Sequence, residues 1–416
     1  MNQPLGTGPA PSLPPLIDGE LRLDNPAIDR AFRWLLRDGR HQPNSGELLQ
    51  GFCRELTEGG FPLMRAFLAK PTLHPQIASI AYRWSRTQPM VEAFTREHDI
   101  WQSDQYLRSP MALIYAGEES MIRRRLFGPG LRLDFPILED LLAEGGTDYA
   151  IFGLRRGDGK PMAVISMATD VPGGFSDEQF TGFQSLLSLL SLIVEAIETR
   201  LTAKSLLEIY LGADAGRRVM GGLIRRGESV TIAAAIWQCD LRDFTAMSNQ
   251  LPRDEVLAIL NDYFDAVTRP VLARGGEILK FIGDSVLAIF PMKDDLDRDD
   301  KCRTALTAAE EALEAMRDVN ELRASAGKAP LGVGIGLHAG SVSYGNIGSQ
   351  TRLDFTVIGP AVNLAARITG LCRPLNQRLL ASRAFASPCG SKLVPLGHYP
   401  MHGFDAPQEV FGLPEE

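Results

Sequence analysis

Residues 231–245 read Thr231-Ile232-Ala233-Ala234-Ala235-Ile236-Trp237-Gln238-Cys239-Asp240-Leu241-Arg242-Asp243-Phe244-Thr245. The run to Cys239 is almost continuously apolar, the pattern of a strand buried on both faces. It stops at Asp240, so a carboxylate stands at a sheet edge beside a turn. The backbone amides of that turn point at whatever the carboxylate binds, which suits phosphate. An aspartate ending a strand is also an ordinary helix cap, and this stretch alone fixes no chemistry.

Downstream, Pro252 opens a helix with Val256, Leu257, Leu260, Phe264 and Val267 on one side. Glu277 to Phe281 and Ser285 to Phe290 flank Gly283-Asp284 and read as a hairpin with Asp284 at its tip. An acidic loop then leads to a helix carrying Leu306, Ala309, Leu313 and Met316 on one face. Leu331 to His338 and Leu353 to Ile358 read as strands, and Pro360 and Gly370 bracket a short helix. Strands and helices interleave, so the fold class is α/β, an α+β sandwich. Hard divalent cations take carboxylate oxygens and keep water and substrate phosphate as further ligands. Aspartates on adjacent strands, Asp240 and Asp284, therefore suit a metal pair about 3.5–4 Å apart. Asn363 and Arg367 lie four residues apart and share one face of the short helix. Singly, each has an ordinary account: a polar hairpin, or the solvent side of a helix.

Jointly, Asp240-x-x-x-Phe244-Thr245, Lys280-x-x-Gly283-Asp284 and Asn363-x-x-x-Arg367 match a known order and spacing. The segment from about 229 to 412 resembles the class III adenylyl and guanylyl cyclase catalytic domain, whose central sheet is ferredoxin-like. The resemblance implies two divalent metal ions, Mg²⁺ or Mn²⁺, held by Asp240 and Asp284 with help from the Leu241 carbonyl. It implies that Asn363 orients the ribose, that Arg367 meets charge on the reacting phosphate, and that the Phe244 and Thr245 amides hold the triphosphate. The implied reaction turns ATP into 3′,5′-cyclic AMP and pyrophosphate. The implied assembly is a head-to-tail homodimer, each site taking its aspartates from one chain and its Asn/Arg helix from the other.

Base choice follows from donors and acceptors. Lys280 can donate to adenine N1, and Thr356, seven residues before Asn363, can accept from the N6 amine. Guanine reverses both groups, so this Lys/Thr pair resembles the bacterial adenylyl subgroup. Two departures stand out. Pro360 follows Gly359 where the family often has Asp or Asn, and Met401-His402-Gly403 puts a histidine where many members have a triphosphate lysine. Arg352 is the candidate to share that load. The alternatives are a non-catalytic nucleotide-binding module of the same shape, or a cyclase for another nucleotide such as GTP.

Three look-alikes fall away on spacing. Arg274-Gly275-Gly276-Glu277 opens like a diguanylate cyclase signature but continues Ile278-Leu279. Gly332-Val333-Gly334-Ile335-Gly336 lies in an apolar strand and reads as close strand packing, not a dinucleotide loop. Asp295, Asp297 and Asp299 begin like a calcium loop, but Asp300 and Leu306 stand where its glycine and glutamate belong.

Upstream, residues 1–16 are rich in Pro and Gly and read as disordered. Residues 17–175 follow the element order of a GAF-like sensor, with a PAS-like domain as the alternative. Tyr149 to Leu154 and Met162 to Met167 form a hairpin in that region, and Met111 to Tyr115 is a short apolar run. His74, Trp84 and Trp101 are candidates to line a pocket for an unidentified small-molecule ligand, although core packing is the ordinary account. Residues 176–228 read as a signalling helix and linker. Phe183, Leu186, Leu190, Ile193 and Ile197 give that helix a seam, facing either its own domain or a second copy. Residues 229–416 complete the chain as the catalytic domain.

The bulk numbers set outer limits. A chain of 416 residues suits two domains, and a net charge of −8 disfavours a general nucleic-acid surface. Five scattered cysteines without a CxxC pair suit a reducing cytoplasm rather than a disulfide framework or zinc site. The start has neither the basic nor the apolar region of a signal peptide. Leu186 to Ile197 is too short an apolar run to cross a bilayer.

Overall fold

The computed structural model describes Leu23 and residues 25–414. Segment 1–16, read above as disordered, lies outside them. The chain divides into two units, one ending at Ala203 and the other starting at Lys204.

The first unit is built on six strands: β1 Arg65–Pro71, β2 Ser79–Ser85, β3 Glu92–Arg96, β4 Met121–Arg125, β5 Asp148–Arg155 and β6 Pro161–Thr169. They form one antiparallel sheet in the order β3-β2-β1-β6-β5-β4. Helices α1 Pro26–Arg37, α2 Ser45–Glu58 and α6 Asp177–Leu211 supply the core on one face. The short helices α3 Asp104–Leu107, α4 Pro110–Ala116 and α5 Pro136–Ala143 belong to the other side. Strand alternation divides the two cores: Ala66 and Leu68 belong to the first, Phe67 and Ala69 to the second. Met111 to Tyr115 falls in α4, a helix, because an apolar run this short carries no period to tell helix from strand.

On α6 the expected stripe is real. Phe183, Leu186, Leu190, Ile193 and Ile197 are buried, with Phe180 and Val194, in the first unit's own core. The helix runs for 35 residues and, by length and composition alone, is long and apolar enough to cross a membrane. The apolar run quoted above misses this because the helix continues well beyond Ile197.

The second unit takes the last residues of α6, then α7 Ala213–Met220, β7 Ser229–Leu241, α8 Phe244–Gln250 and α9 Arg253–Ala273. The hairpin β8 Glu277–Ile282 and β9 Ser285–Met292 precedes α10 Asp295–Ser325. Then come β10 Val333–Gly348, β11 Leu353–Ile358, α11 Pro360–Leu371, β12 Leu379–Ser382, β13 Val394–Tyr399 and β14 Gln408–Gly412. The eight-stranded sheet has the order β13-β14-β12-β10-β7-β9-β8, with β11 paired to β10. Only β10 and β12 run parallel.

Strand β7 is buried on both faces, as its run of apolar residues requires. Ala235, Trp237 and Cys239 join the core under α9 and α10, while Ala234 and Ile236 face Ala215 of α7 and Ala361 and Ala365 of α11. Helix α11 lies almost on the backbone of β10. A Cβ on Gly336 would sit 2.2 Å from Thr369 Oγ1 and 2.8 Å from the Ala365 carbonyl oxygen. Gly334 and Gly336 therefore serve close helix approach, where close strand packing was expected.

Three boundaries differ from expectation. The buried face of α9 carries Ile259, Tyr263, Ala266, Val267 and Val271, and Leu257 is exposed, because the helix rolls Tyr263 toward the sheet. Asp297, Asp299 and Asp300 belong to the opening turns of α10 rather than a loop, where carboxylates oppose the helix dipole favourably. Gly370 lies inside α11, and the chain leaves the helix at Cys372.

Candidate active site

The register pairing Cys239 with Val286 brings the end of β7 beside Ser285 and the turn that holds Asp284. Gly283 makes that turn at φ +62°, a left-handed conformation that favours glycine. Asp240 lies on the same face of β7 as Ala234 and Ile236. Its Oδ1 is fully buried and has no hydrogen-bond partner. Burial raises the Asp240 pKa, a Ser285 hydrogen bond partly offsets this, and the charge of Asp284 raises it further.

A buried, unpartnered carboxylate oxygen beside a second carboxylate is costly unless a cation joins them. The pair fits a divalent cation on that ground. Among the described residues no three His, Cys, Asp or Glu side chains group as a metal cluster. Two carboxylates leave other positions to backbone oxygen, water and substrate phosphate, which Mg²⁺ accepts. Leu241, buried, ends the strand between this pair and the turn.

The turn itself is held from the other side. Arg242 donates through Nη2 to the carbonyls of Gln377 at 2.6 Å and Cys372 at 3.2 Å, tying it to the C-terminal end of α11. Asp243 sits at φ 58°, ψ 21°, a left-handed conformation that only short polar side chains adopt readily. It stands at the N-cap position of α8 without a side-chain cap bond, and its carboxylate pairs with Arg373 at 2.7 Å. Phe244 packs on the core and Thr245 is exposed in the first turn of α8. The N–H groups of that first turn have no helical acceptor. Arg242, Asp243 and Arg373 were not singled out from sequence; the one available signal was an aspartate directly before a helix.

On β8, Lys280 donates from Nζ to Asp354 Oδ2 at 2.5 Å. Thr356, on the same face of β11 as Asp354 by alternation, is buried, and its Oγ1 has no partner. Asp354 was also missed. Asn363 and Arg367 are exposed together on α11, whose other side buries Leu364, Ala365 and Ile368. Among the described residues neither makes a side-chain hydrogen bond or ion pair. Arg352, in the turn between β10 and β11, and His402, in the turn after β13, are exposed. Among the described residues, no hydrogen bond or ion pair joins either of them to the aspartate pair.

Residues 227–403 match the family described as the adenylate and guanylate cyclase catalytic domain. The C-terminal domain is thus a class III adenylyl/guanylyl cyclase catalytic domain. It is 36% identical over 162 residues to adenylate cyclase 1 of Rhizobium meliloti, covering 38% of this chain and 24% of that protein. It is 35% identical over 162 residues to an adenylate cyclase of Anabaena cylindrica, covering 39% and 32%. The chain thus spans a quarter to a third of the length of these relatives. The adenylyl cyclase CyaB of P. aeruginosa aligns in structure with a TM-score of 0.41 and 24% identity, over 45% of this chain and 97% of that one.

Proposed function

We propose that this chain is an adenylate cyclase that converts ATP to 3′,5′-cyclic AMP and pyrophosphate as a homodimer, under control of its N-terminal unit. The observation that carries the reading is the buried, unpartnered Asp240 Oδ1 beside Asp284. Those two carboxylates would hold divalent cations, Mg²⁺ or Mn²⁺, whose chemistry when bound is to acidify the ribose 3′-hydroxyl and neutralise phosphate charge. The Phe244 and Thr245 amides opening α8 would cradle the triphosphate, with Arg352 and His402 available to it. Arg367 is a fixed cation for charge that grows in the transition state. Asn363, on the same helix face, positions the ribose. Because both project from the surface of α11 without partners, a second copy can supply them to the aspartates.

Adenine reading rests on Lys280 as donor and on the unpartnered Thr356 hydroxyl as acceptor. The relatives named as adenylate cyclases support the same choice. The substrate and five buried, unpaired thiols suit the cytoplasm.

The test uses the full chain with Mn²⁺ and either ATP or GTP, measuring cyclic nucleotide and pyrophosphate together. Equal amounts of cyclic AMP and pyrophosphate, lost in Asp240→Ala, are expected. Nucleotide binding without pyrophosphate would support the non-catalytic module instead, and preference for GTP would overturn the base assignment.

A further inference from the structure

The sheet face of the first unit opposite α1, α2 and α6 holds a cavity of about 400 Å³. Small side chains keep its floor open: Ala69, Ser79, Ala81, Ser166 and Ala168, on three different strands. Close-packed cores do not leave such a volume, which falls in the range of small-molecule sites. One wall is aromatic. Trp101 meets Tyr106 edge-on with centroids 4.9 Å apart and Tyr115 at 6.5 Å. The Tyr115 hydroxyl is spent on the Ala69 carbonyl at 3.1 Å, which pins that ring over the floor.

Charge is distributed unequally around this apolar space. Lys70 contributes only backbone, since its ammonium pairs with Glu198 on the α6 side. Three guanidinium groups line the cavity: Arg65, Arg83 and Arg96. Arg65 pairs with Glu144 at 3.1 Å, and Arg83 pairs with Glu92 at 2.5 Å while lying over the Phe94 ring. Arg96 has no carboxylate partner among the described residues; its Nη1 donates only to the Thr95 carbonyl at 3.1 Å. Asp140, on α5, gives the lining one acceptor for a ligand N–H or O–H. Among the described residues no histidine or cysteine lines the cavity, and the Met111 thioether is its sulfur donor.

We propose that this cavity binds a small planar aromatic acid, its rings against Trp101 and Tyr106 and its anionic group on Arg96. Guanidinium is the side chain suited to a planar carboxylate or sulfonate, and the aromatic wall supplies the stacking surface. The proposal is independent of what the second unit catalyses, because binding can be read without turnover.

The probe is anilinonaphthalenesulfonate, an aromatic anion with a planar naphthalene and one N–H, against its neutral counterpart phenylnaphthylamine. Both are titrated by fluorescence into the folded full chain. One saturable site for the sulfonate is expected, weakened about tenfold or more by Arg96→Gln, which removes a charged hydrogen bond. The neutral amine should be indifferent to that exposed substitution. Ala81→Trp, filling the floor, should abolish both, with Met111→Trp as a second filler if the first disturbs the circular dichroism. Absence of saturable binding, equal affinity for the two probes, or a sulfonate affinity unmoved by Arg96→Gln would each overturn the proposal.

Discussion

Two aspartates, one in each unit, show what burial does and does not mean for a carboxylate. Asp148, at the start of β5, is fully buried and fully answered: Arg123 Nη2 donates at 2.7 Å and the Phe175 N–H at 3.2 Å. Asp240, at the end of β7, is less buried, yet its Oδ1 has nothing. A buried polar atom with its partners is part of the fold, whereas one without them needs a reason, and a role in holding a cation is such a reason. The first unit spends its carboxylates on holding β4, β5 and the approach to α6 together. The second leaves one buried carboxylate oxygen, Asp240 Oδ1, unanswered.

The sharpest way to break that contrast is to remove both. Asp148→Ala leaves the half-buried Arg123 without its carboxylate and should cost about 3 kcal/mol, read as a lower denaturant midpoint. Asp240→Ala should leave stability equal or higher while cyclase activity falls more than about a hundredfold. If Asp240→Ala unfolds the protein as Asp148→Ala does, the carboxylate is structural and the active-site reading fails.

Nearly as large is the effect expected at the other half of the site. On the proposed reading, in which Arg367 meets transition-state charge, Arg367→Ala should also lose about a hundredfold or more in kcat. Mixing Asp240→Ala and Arg367→Ala chains under subunit exchange should restore measurable activity. In a mixed dimer one site carries both lesions and the other carries none. No recovery despite demonstrated exchange would mean that each site is built from one chain.

Base selection is the next step down. Lys280→Glu should cut kcat/KM for ATP roughly ten- to a hundredfold by replacing a charged donor with an acceptor. Some gain for GTP should accompany it. An unchanged ATP-to-GTP ratio would show that Lys280 does not read the base.

The contrast also has to hold inside the second unit, and His338 tests it there. This imidazole is buried and answered, with Nδ1 2.7 Å from Ser382 Oγ. Burial, and then the Arg298 charge, lower its pKa from 6.5 to about 4. The unfolded chain therefore takes up this proton first as pH drops. Stability from this group is whole above the unfolded pKa and falls between pH 6.5 and 4, by roughly 2 kcal/mol at pH 5. Urea midpoints at pH 7 and pH 5 measure the loss, and His338→Gln should shrink it with little change in kcat at pH 7. An equal pH dependence in the variant would place the acid sensitivity elsewhere.

How much of this was visible in the sequence depends on how far apart the cooperating residues lie. Strand β7, the hairpin at Asp284, strand β11 and the stripe on α6 were legible because each is written in one local period. The pair Asn363 and Arg367 was legible for the same reason. The cavity was not: its lining is gathered from residues between Arg65 and Ala168, and of the three candidates named for it only Trp101 lines it. Trp84 is buried in the core on the opposite face, and His74 turns its Nδ1 to the N–H groups of Gln76 and Ile77. The roll of α9 and the position of Gly370 were misread because several apolar or small residues compete for one face, and only the neighbouring sheet decides. Asp243 and Asp354 were hidden for a different reason. Their roles lie in a backbone conformation and a cross-strand partner, neither of which has a fixed spacing.

Asp354 gives the smallest effect and the finest test. Its carboxylate is 55% exposed and its partner Lys280 30% exposed, so the ion pair lies in the range of surface pairs, about 0.2–1 kcal/mol. An ammonium has three donors, so Lys280 can keep Asp354 and still donate to a base nitrogen. Asp354 then acts as a positioning residue, holding Nζ between β8 and β11. Asp354→Asn should raise the KM for ATP by about two- to fivefold, leave kcat unchanged, and shift the ATP-to-GTP ratio in the same sense as Lys280→Glu but less. In a Lys280→Glu background the same substitution should add nothing, because the residue it positions is gone, and that non-additivity is what a double-mutant cycle reads. A fall in KM would show the opposite arrangement, with Asp354 competing against the substrate for Lys280.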